Sequence, residues 1–315
     1  MKLSAAGTTV SKTRYTSRLR KDIMMNKYVY MMALPVIAFY LIFHYVPMGG
    51  LMIAFQDFNA FKGMFASPWV GLKHFNDFLT SPYAFRVIKN TLLINVYQIL
   101  FGFPAPILLA LLINEIRSHA FKRSIQTVSY MPHFISLVVI CGMLVDFTAS
   151  NGVINDIIAL FGGERANLLM QKDLYRPIYI LSGIWQEVGW GSIIYLATLS
   201  SVDPHLYEAA SIDGAGRFKK LLHVTIPSLI PTIVILLIMR LGHIMSEGFE
   251  KVILIYNPLT YETADVISSY VYRRGLQEAN YSFGAAVGLF NSTINFIILV
   301  AANALSRKFA KQSLW

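Results

Sequence analysis

The chain has 315 residues, of which 55% are hydrophobic and 14% are charged. Soluble domains contain about 25% charged residues, so the composition excludes a soluble enzyme and a disordered chain and indicates a membrane protein. The one cysteine, Cys141, excludes an internal disulfide framework and a cysteine-based metal site. A net charge of +10 at pH 7 is compatible with nucleic-acid binding, so the positions of the basic residues decide that question.

Six apolar stretches are long enough to cross the hydrocarbon core of a bilayer, which takes about 20 residues. They cover residues 28–55, 91–113, 125–147, 177–199, 226–245 and 283–305. The first contains Pro35 and Pro47, and we expect it to tilt or to end near Pro47. The sequence therefore predicts an all-α membrane protein with six transmembrane helices.

The basic residues indicate how these spans are oriented. With a cytoplasmic N-terminus, 16 of the 27 Lys and Arg residues fall in cytoplasmic segments and 10 in the longer outside loops, and Arg240 lies inside a span. Cytoplasmic segments carry such an excess, so both termini are predicted to be cytoplasmic. The predicted organisation is a basic N-terminal segment over 1–27, a transmembrane domain over 28–305 and a cytoplasmic tail over 306–315. Nucleic-acid binding would instead need a basic stripe on a folded surface, so it is not expected.

The sequence lacks the usual catalytic motifs. Its glycine cluster at Gly214 and Gly216 is followed by Arg217 rather than by the Lys-Ser/Thr pair of a phosphate-binding loop. It contains neither a His-Glu-x-x-His zinc helix nor a Gly-x-Ser-x-Gly turn. We therefore expect a chain that is not an enzyme and has no ATPase motif of its own.

The loop over 201–227 carries the most informative pattern. Asp203 followed by Pro204 is typical of a helix start, because Asp is a favoured N-cap and Pro is favoured at the first helical position. Gly214 is typical of a helix end. The residues between them predict a short amphipathic helix under the membrane. From the residues alone, an ordinary surface helix in a cytoplasmic loop is an equally good interpretation.

This loop also resembles a family motif. A Glu-Ala-Ala run, a following Asp-Gly pair and a downstream Ile-Pro pair, placed two spans before the C-terminus, resemble the EAA loop of binding-protein-dependent ABC importer permeases. In that family the loop forms a coupling helix that docks into a groove on the nucleotide-binding subunit. By resemblance, the coupling residues are Glu208, Ala209, Ala210, Asp213 and Gly214.

The resemblance to ABC importer permeases extends over nearly the whole chain. Residues 43–47, 53–59 and 67–72 look like those of the carbohydrate-type members. More narrowly, they are similar to permeases for oligosaccharides of uronic acids, including alginate and pectin-derived saccharides. The resemblance implies the type I ABC importer permease fold, in the cytoplasmic membrane of a bacterium, with alternating access driven by ATP.

The resemblance also implies which molecules this chain works with. The expected partners are a second, homologous permease that forms a heterodimer with it, two ATP-binding subunits and an extracytoplasmic solute-binding protein, besides the oligosaccharide and the lipid bilayer. We expect no cofactor on this chain, since ATP and Mg would be bound by the ATPase subunits.

Polar side chains within the spans are candidates for a sugar path. Charged groups at membrane depth normally face a cavity or a partner. A sugar path needs aromatic faces for pyranose rings, together with amide or charged groups for hydroxyls. Arg240, the basic residue within a predicted span, would suit the carboxylate of an acidic sugar. The candidates are Gln98, Trp185, Gln186, Glu187, Trp190, Arg240, His243, Asn291 and Asn295.

Structural roles are equally open for several of these side chains. Glu187 or Glu247 would neutralise Arg240 in an ion pair between two helices. Asn291 and Asn295 would form interhelical hydrogen bonds. Two other functions remain as alternatives: ABC import of a solute that is not a sugar, and a membrane-embedded enzyme that uses its intramembrane charged groups. Activity of the purified chain without ATP or partners would identify the enzyme.

Overall fold

A computed structural model describes residues 21–22, 24–245 and 248–309 of the chain. Within these ranges the chain is helical, and extended pairing is limited to an isolated antiparallel bridge between Gln56 and Trp69. Glu247 and most of the predicted terminal segments lie outside the described residues. The principal helices are α1 (Lys27–Phe55), α2 (Lys73–Leu79), α3 (Ala84–Asn114), α4 (His119–Tyr130), α5 (Leu137–Thr148), α6 (Val153–Leu160), α7 (Lys172–Ser200), α8 (Pro204–Ile212), α9 (Arg217–Leu241), α10 (Phe249–Ile255), α11 (Ile267–Val271) and α12 (Tyr281–Phe309). Short helical turns lie between them, including Tyr261–Ala264 and Tyr272–Gln277.

Five stretches of helix are both long and apolar enough to cross a membrane. They are α1, α3, Leu137–Leu160 across α5 and α6, α9, and Tyr281–Lys308 of α12. α7 has 29 residues, or about 44 Å of helix, but Gln186 and Glu187 within it lower its mean hydropathy. The helical membrane fold predicted from the sequence is confirmed for the described ranges. Of the two requirements for a span, α7 meets the length but not the hydropathy.

The predicted span over 125–147 is wrong as a continuous helix. α4 ends in a 3-10 turn over Met131–Phe134, and Ile135 is extended (ψ 132°). The side chain of Ser136 then caps α5 by accepting a hydrogen bond from the Val139 N–H at 3.4 Å. The break has a local cause, because Pro132 lacks an N–H for the helix and a serine N-cap begins a new one.

α1 remains helical past both of its prolines. Pro35 lies within its first part, and beyond Pro47 the chain tightens into a 3-10 helix over Gly49–Phe55. Wider π-helical turns interrupt α1, α3 and α9, over Leu41–Tyr45, Gln98–Gly102 and Leu221–Thr225. π-turns are frequent at functional sites, and the one in α3 begins at Gln98.

The central helices are α3, α7 and α9. Arg217 at the start of α9 forms an ion pair with Glu115 after the end of α3, and α8 joins the end of α7 to the start of α9. α3 and α7 therefore run parallel to each other, and α9 runs in the opposite direction. We call this side of the bundle the α8 end. At the opposite end, Phe78, Tyr270 and Phe283 form a buried aromatic cluster between α2, α11 and α12.

Close approach between α4 and α7 depends on Gly189. A Cβ atom at this buried position would overlap the backbone carbonyl of Ser129, and backbone cannot move aside as a flexible side chain can. We expect Gly189→Ala to destabilise the bundle by about 1–3 kcal/mol, the usual range for an overpacked core, as measured by denaturant unfolding in detergent. Gly142→Ala on α5 is the matched control, because a Cβ there has no atom within 4 Å. Equal stability of the two variants would contradict this prediction.

Candidate functional site

α8 is the short helix that the sequence predicts after Asp203. The Asp203 carboxylate accepts a hydrogen bond from the His205 N–H at 2.9 Å, and Pro204 occupies the first turn. The helix ends at Ile212, and Gly214 adopts a positive φ of 72°. A glycine adopts this left-handed conformation without the steric cost of a Cβ, so the chain turns here toward α9.

Side-chain contacts connect α8 to the start of α9. The Tyr207 and Thr225 hydroxyls lie 3.2 Å apart, and the Lys220 ammonium donates to the Ser211 hydroxyl at 2.7 Å. These bonds come from the middle and from the C-terminal end of α8. α8 is thus bonded to α9, and the Arg217–Glu115 ion pair links the start of α9 to the end of α3.

The outer surface of α8 exposes both apolar and acidic side chains. Leu206 is 50% exposed and Ile212 is 87% exposed, and Phe218 just beyond is 71% exposed. The Glu208 carboxylate is also exposed, and its Oε2 lies 3.2 Å from the His205 Nδ1 one turn earlier. Ala209 is exposed beside it and Ala210 is partly buried. This end of the bundle therefore leaves large apolar side chains uncovered within the chain.

A cavity of about 650 Å³ lies between α3, α7 and α9. Five of the predicted path residues line it, and these come from all three helices. Backbone and apolar side chains such as Ile94, Phe103 and Leu236 form much of the remaining wall. The predicted residues that line the cavity are Gln98, Gln186, Glu187, Arg240 and His243.

Two cations line this cavity, Arg240 and Lys251, and Arg240 was predicted from the sequence. Arg240 donates from Nη2 to the Oε1 of Gln98 at 3.0 Å. Lys251 on α10 is 7% exposed; its ammonium donates to the Tyr179 carbonyl at 2.9 Å and lies 4.7 Å from the centre of the Tyr179 ring. Lys251 was missed because it follows the fifth predicted span, although its place before the apolar run 252–255 is a signal of burial.

The aromatic candidates lie away from the cavity lining. Trp190 stacks on His133 with ring centroids 4.4 Å apart and an interplanar angle of 3°. Trp185 lines a separate groove of about 430 Å³ with Val128 and Pro132. Both indoles are nearly half exposed, so they face outward from α7 rather than inward toward the cavity.

The predicted ion pair between Glu187 and Arg240 is absent from the described residues. Glu187 instead contacts His133, with 3.1 Å between Oε2 and Nδ1, while Glu247 lies outside the residues that the structure describes. On α12, the Asn295 side-chain oxygen accepts from the Met245 N–H at 2.9 Å. Asn291 and Asn295 do not belong to the cavity lining, and the Asn295 bond ties α12 to the residues that follow α9.

A buried carboxylate holds the opposite end of the bundle together. Asp265 is fully buried and accepts from Arg86 at 3.1 Å, from Arg273 at 2.7 Å and from the Ser269 hydroxyl at 2.8 Å. Burial lowers the pKa of Arg273, but hydrogen bonds to Asp265 and Tyr256 outweigh it and raise the pKa overall. The guanidinium thus stays charged. The cluster fastens the segment before α11 onto α3.

Comparison with known proteins decides what kind of protein this is. The family described as "Binding-protein-dependent transport system inner membrane component" matches residues 102–311, which is more than half of the chain. The chain belongs to this family. It is accordingly a transport permease and a multi-pass protein of the cytoplasmic membrane, which confirms the resemblance found in the EAA loop.

Relatives and solved structures cover nearly the whole permease. It is 43% identical over 312 residues to the polygalacturonan/rhamnogalacturonan transport system permease protein YteP of Bacillus subtilis (strain 168), covering 99% of this chain and 97% of that one. It is 43% identical to protein LplB of the same organism, with 92% of each chain covered. A solved structure of a bacterial ABC transporter involved in the import of the acidic polysaccharide alginate has 47% identity and a TM-score of 0.87, covering 93% of this chain and 99% of that chain.

A second solved structure contains a further component. It is a bacterial alginate ABC transporter in complex with a periplasmic protein that binds an alginate pentasaccharide. Its matching chain has 46% identity and a TM-score of 0.88, covering 94% of this chain and 100% of that chain.

Proposed function

We propose that this permease is one transmembrane subunit of an ATP-driven importer for oligosaccharides that contain uronic acids, such as alginate or pectin fragments. The observation that carries the proposal is the charge of the cavity, where Arg240 and Lys251 both line the wall together with Glu187. A cavity with an excess of positive charge attracts carboxylates. A relative named as a polygalacturonan/rhamnogalacturonan permease, and a solved structure of a transporter for the acidic polysaccharide alginate, support the same substrate class.

We further propose that α8 is the coupling helix and lies on the cytoplasmic side. Its exposed Leu206 and Ile212, together with Phe218, would enter a groove on an ATPase subunit, which binds ATP and Mg. Closure of the ATPase dimer would then move α8, and the contacts with Thr225 and Lys220 would rotate α9 and its neighbours as rigid helices. The excess of basic residues on the α8 side supports this orientation.

The complete transporter would contain three other kinds of subunit. The surface of α1 supports a second, homologous permease as partner, because none of the residues in Lys27–Tyr40 is buried within this chain. Two ATPase subunits would bind at the α8 end. An extracytoplasmic solute-binding protein would bind at the opposite end, as supported by the neighbour that contains a periplasmic protein.

Uptake into proteoliposomes tests the proposed function. The assembled transporter, supplied with its binding protein and ATP, is expected to import a labelled uronate oligosaccharide at least about tenfold faster than a neutral one of equal length, as one charged hydrogen bond would allow. Preferred import of a neutral sugar or another solute would contradict the substrate class. Chemical conversion of the saccharide by the purified chain without ATP would support the membrane-embedded enzyme instead.

Arg240→Gln tests whether the cation contacts the substrate. Loss of a charge-assisted hydrogen bond should raise the uronate concentration for half-maximal ATPase stimulation by about tenfold. Arg240→Lys is the matched control and should retain most of the affinity, since it keeps the charge. A well-folded Arg240→Gln variant with an unchanged concentration dependence would instead assign Arg240 a structural role.

A further inference from the structure

The side chains of Lys251 and Gln98 converge on Gly183 in the cavity wall. A Cβ atom at Gly183 of α7 would lie 3.4 Å from the Lys251 ammonium nitrogen and 3.5 Å from the Gln98 Nε2. Both nitrogens therefore face the same small space, which exists because residue 183 has no side chain. All three residues belong to the cavity lining.

The orientation of the Gln98 amide follows from its partner. Arg240 has only hydrogen-bond donors, and it donates to the Gln98 Oε1 at 3.0 Å. This bond requires the amide oxygen to point toward Arg240, so the NH₂ group points toward Gly183. The π-helical turn that begins at Gln98 displaces this residue from the regular helical register, as such turns do at functional sites.

The Lys251 ammonium retains donor capacity in this space. It is 7% exposed, and its hydrogen bond goes to the neutral carbonyl of Tyr179. Among the described residues no carboxylate lies within ion-pair distance of it. A lysine has three donors, and a buried charge is costly unless it is paired. An anion from outside the chain would complete the pairing.

We propose that Lys251 and Gln98 form a carboxylate subsite above Gly183, through which the uronate groups of the substrate pass. One carboxylate oxygen accepts from the Lys251 ammonium and the other from the Gln98 NH₂ group. Arg240 positions Gln98, and the absence of a side chain at residue 183 leaves room for the carboxylate. This inference rests on the proposed function and adds the specificity-determining residues.

Gly183→Ala is the sharpest variant. Its methyl group would be in ordinary van der Waals contact with both nitrogens, so the protein should fold, but the space that both donors face would be filled. We expect uptake of a uronate oligosaccharide to fall at least about tenfold, as for a lost charged hydrogen bond, while uptake of the same oligosaccharide with reduced carboxyl groups is unchanged. Gly288→Ala on α12 is the control, because a Cβ there has no atom within 4 Å.

Variants of Lys251 give an independent readout in the same assay. Lys251→Gln should lower uronate uptake in the same selective way, and Lys251→Arg should restore much of it, which a purely structural role of the amine toward Tyr179 does not predict. Normal uronate uptake by Gly183→Ala, or equal losses for both oligosaccharides, would overturn the subsite alone. Failure of the unaltered transporter to import uronates would overturn the proposed function as well.

Discussion

Replacing Glu208 with alanine is expected to reduce uptake at least about tenfold, because the variant loses a charged hydrogen bond to the ATPase subunit. The assembled transporter should still hydrolyse ATP at its basal rate. The carboxylate is 70% exposed, and its described contact is with His205 on the same helix. The variant should therefore leave α8 folded and remove only a group that is available to a partner. The contacts that connect α8 to α9 remain in place.

Three measurements separate this result from a folding defect. The variant should co-purify with the ATPase subunits, keep its helical circular dichroism and lose the ATPase stimulation caused by the loaded binding protein. Glu164→Ala is the control, since this exposed glutamate lies in the loop before α7, far from α8 in the fold. Unimpaired transport by Glu208 variants, with the chain recovered free of any ATPase, would contradict the coupling role.

Asp265→Ala is expected to produce the largest loss of stability, about 3 kcal/mol. The side chain is fully buried and pairs with Arg86 and Arg273, which are 32% and 19% exposed. Removing the carboxylate leaves two partly buried guanidinium groups with like charge near each other. The free energy of unfolding in detergent, from a denaturant titration, measures this effect.

Glu262→Ala on the same segment is the matched control. Glu262 also forms an ion pair, with Lys172 at 3.0 Å, but both side chains are more than half exposed. Exposed ion pairs contribute little to stability because water screens them, so the change should be much smaller than for Asp265→Ala. Similar losses in the two variants would show that burial does not set the strength of the Asp265 cluster.

Local signals allowed much of the fold to be predicted. α8 follows from the Asp203 cap, the proline after it and the glycine at position 214, all within one short stretch of sequence. The long apolar helices follow from composition over about 20 residues. The break before α5 was not predicted because the bounds of that span were set by its apolar length, which runs across two local signals, Pro132 and the Ser136 cap.

The candidate site could be predicted only in part. Composition and spacing identified Gln98, Arg240 and His243 as polar groups within apolar helices, and these do line the cavity. The expectation that aromatic faces bind pyranose rings selected Trp185 and Trp190, which face outward on α7. Composition and spacing passed over Lys251, since a lysine beyond the end of a predicted span has the pattern of a solvent-exposed loop residue.

The sequence by itself determined the family, the helical membrane class and the position of the EAA helix. These properties depend on residue order and apolar character within single stretches of chain. Only the tertiary structure decided that Arg240 bonds Gln98, 142 residues away, that Glu187 contacts His133 and that Lys251 turns into the cavity. Such contacts depend on how each helix is rotated about its axis and how far it is shifted along its neighbours. The packing of the whole bundle sets both.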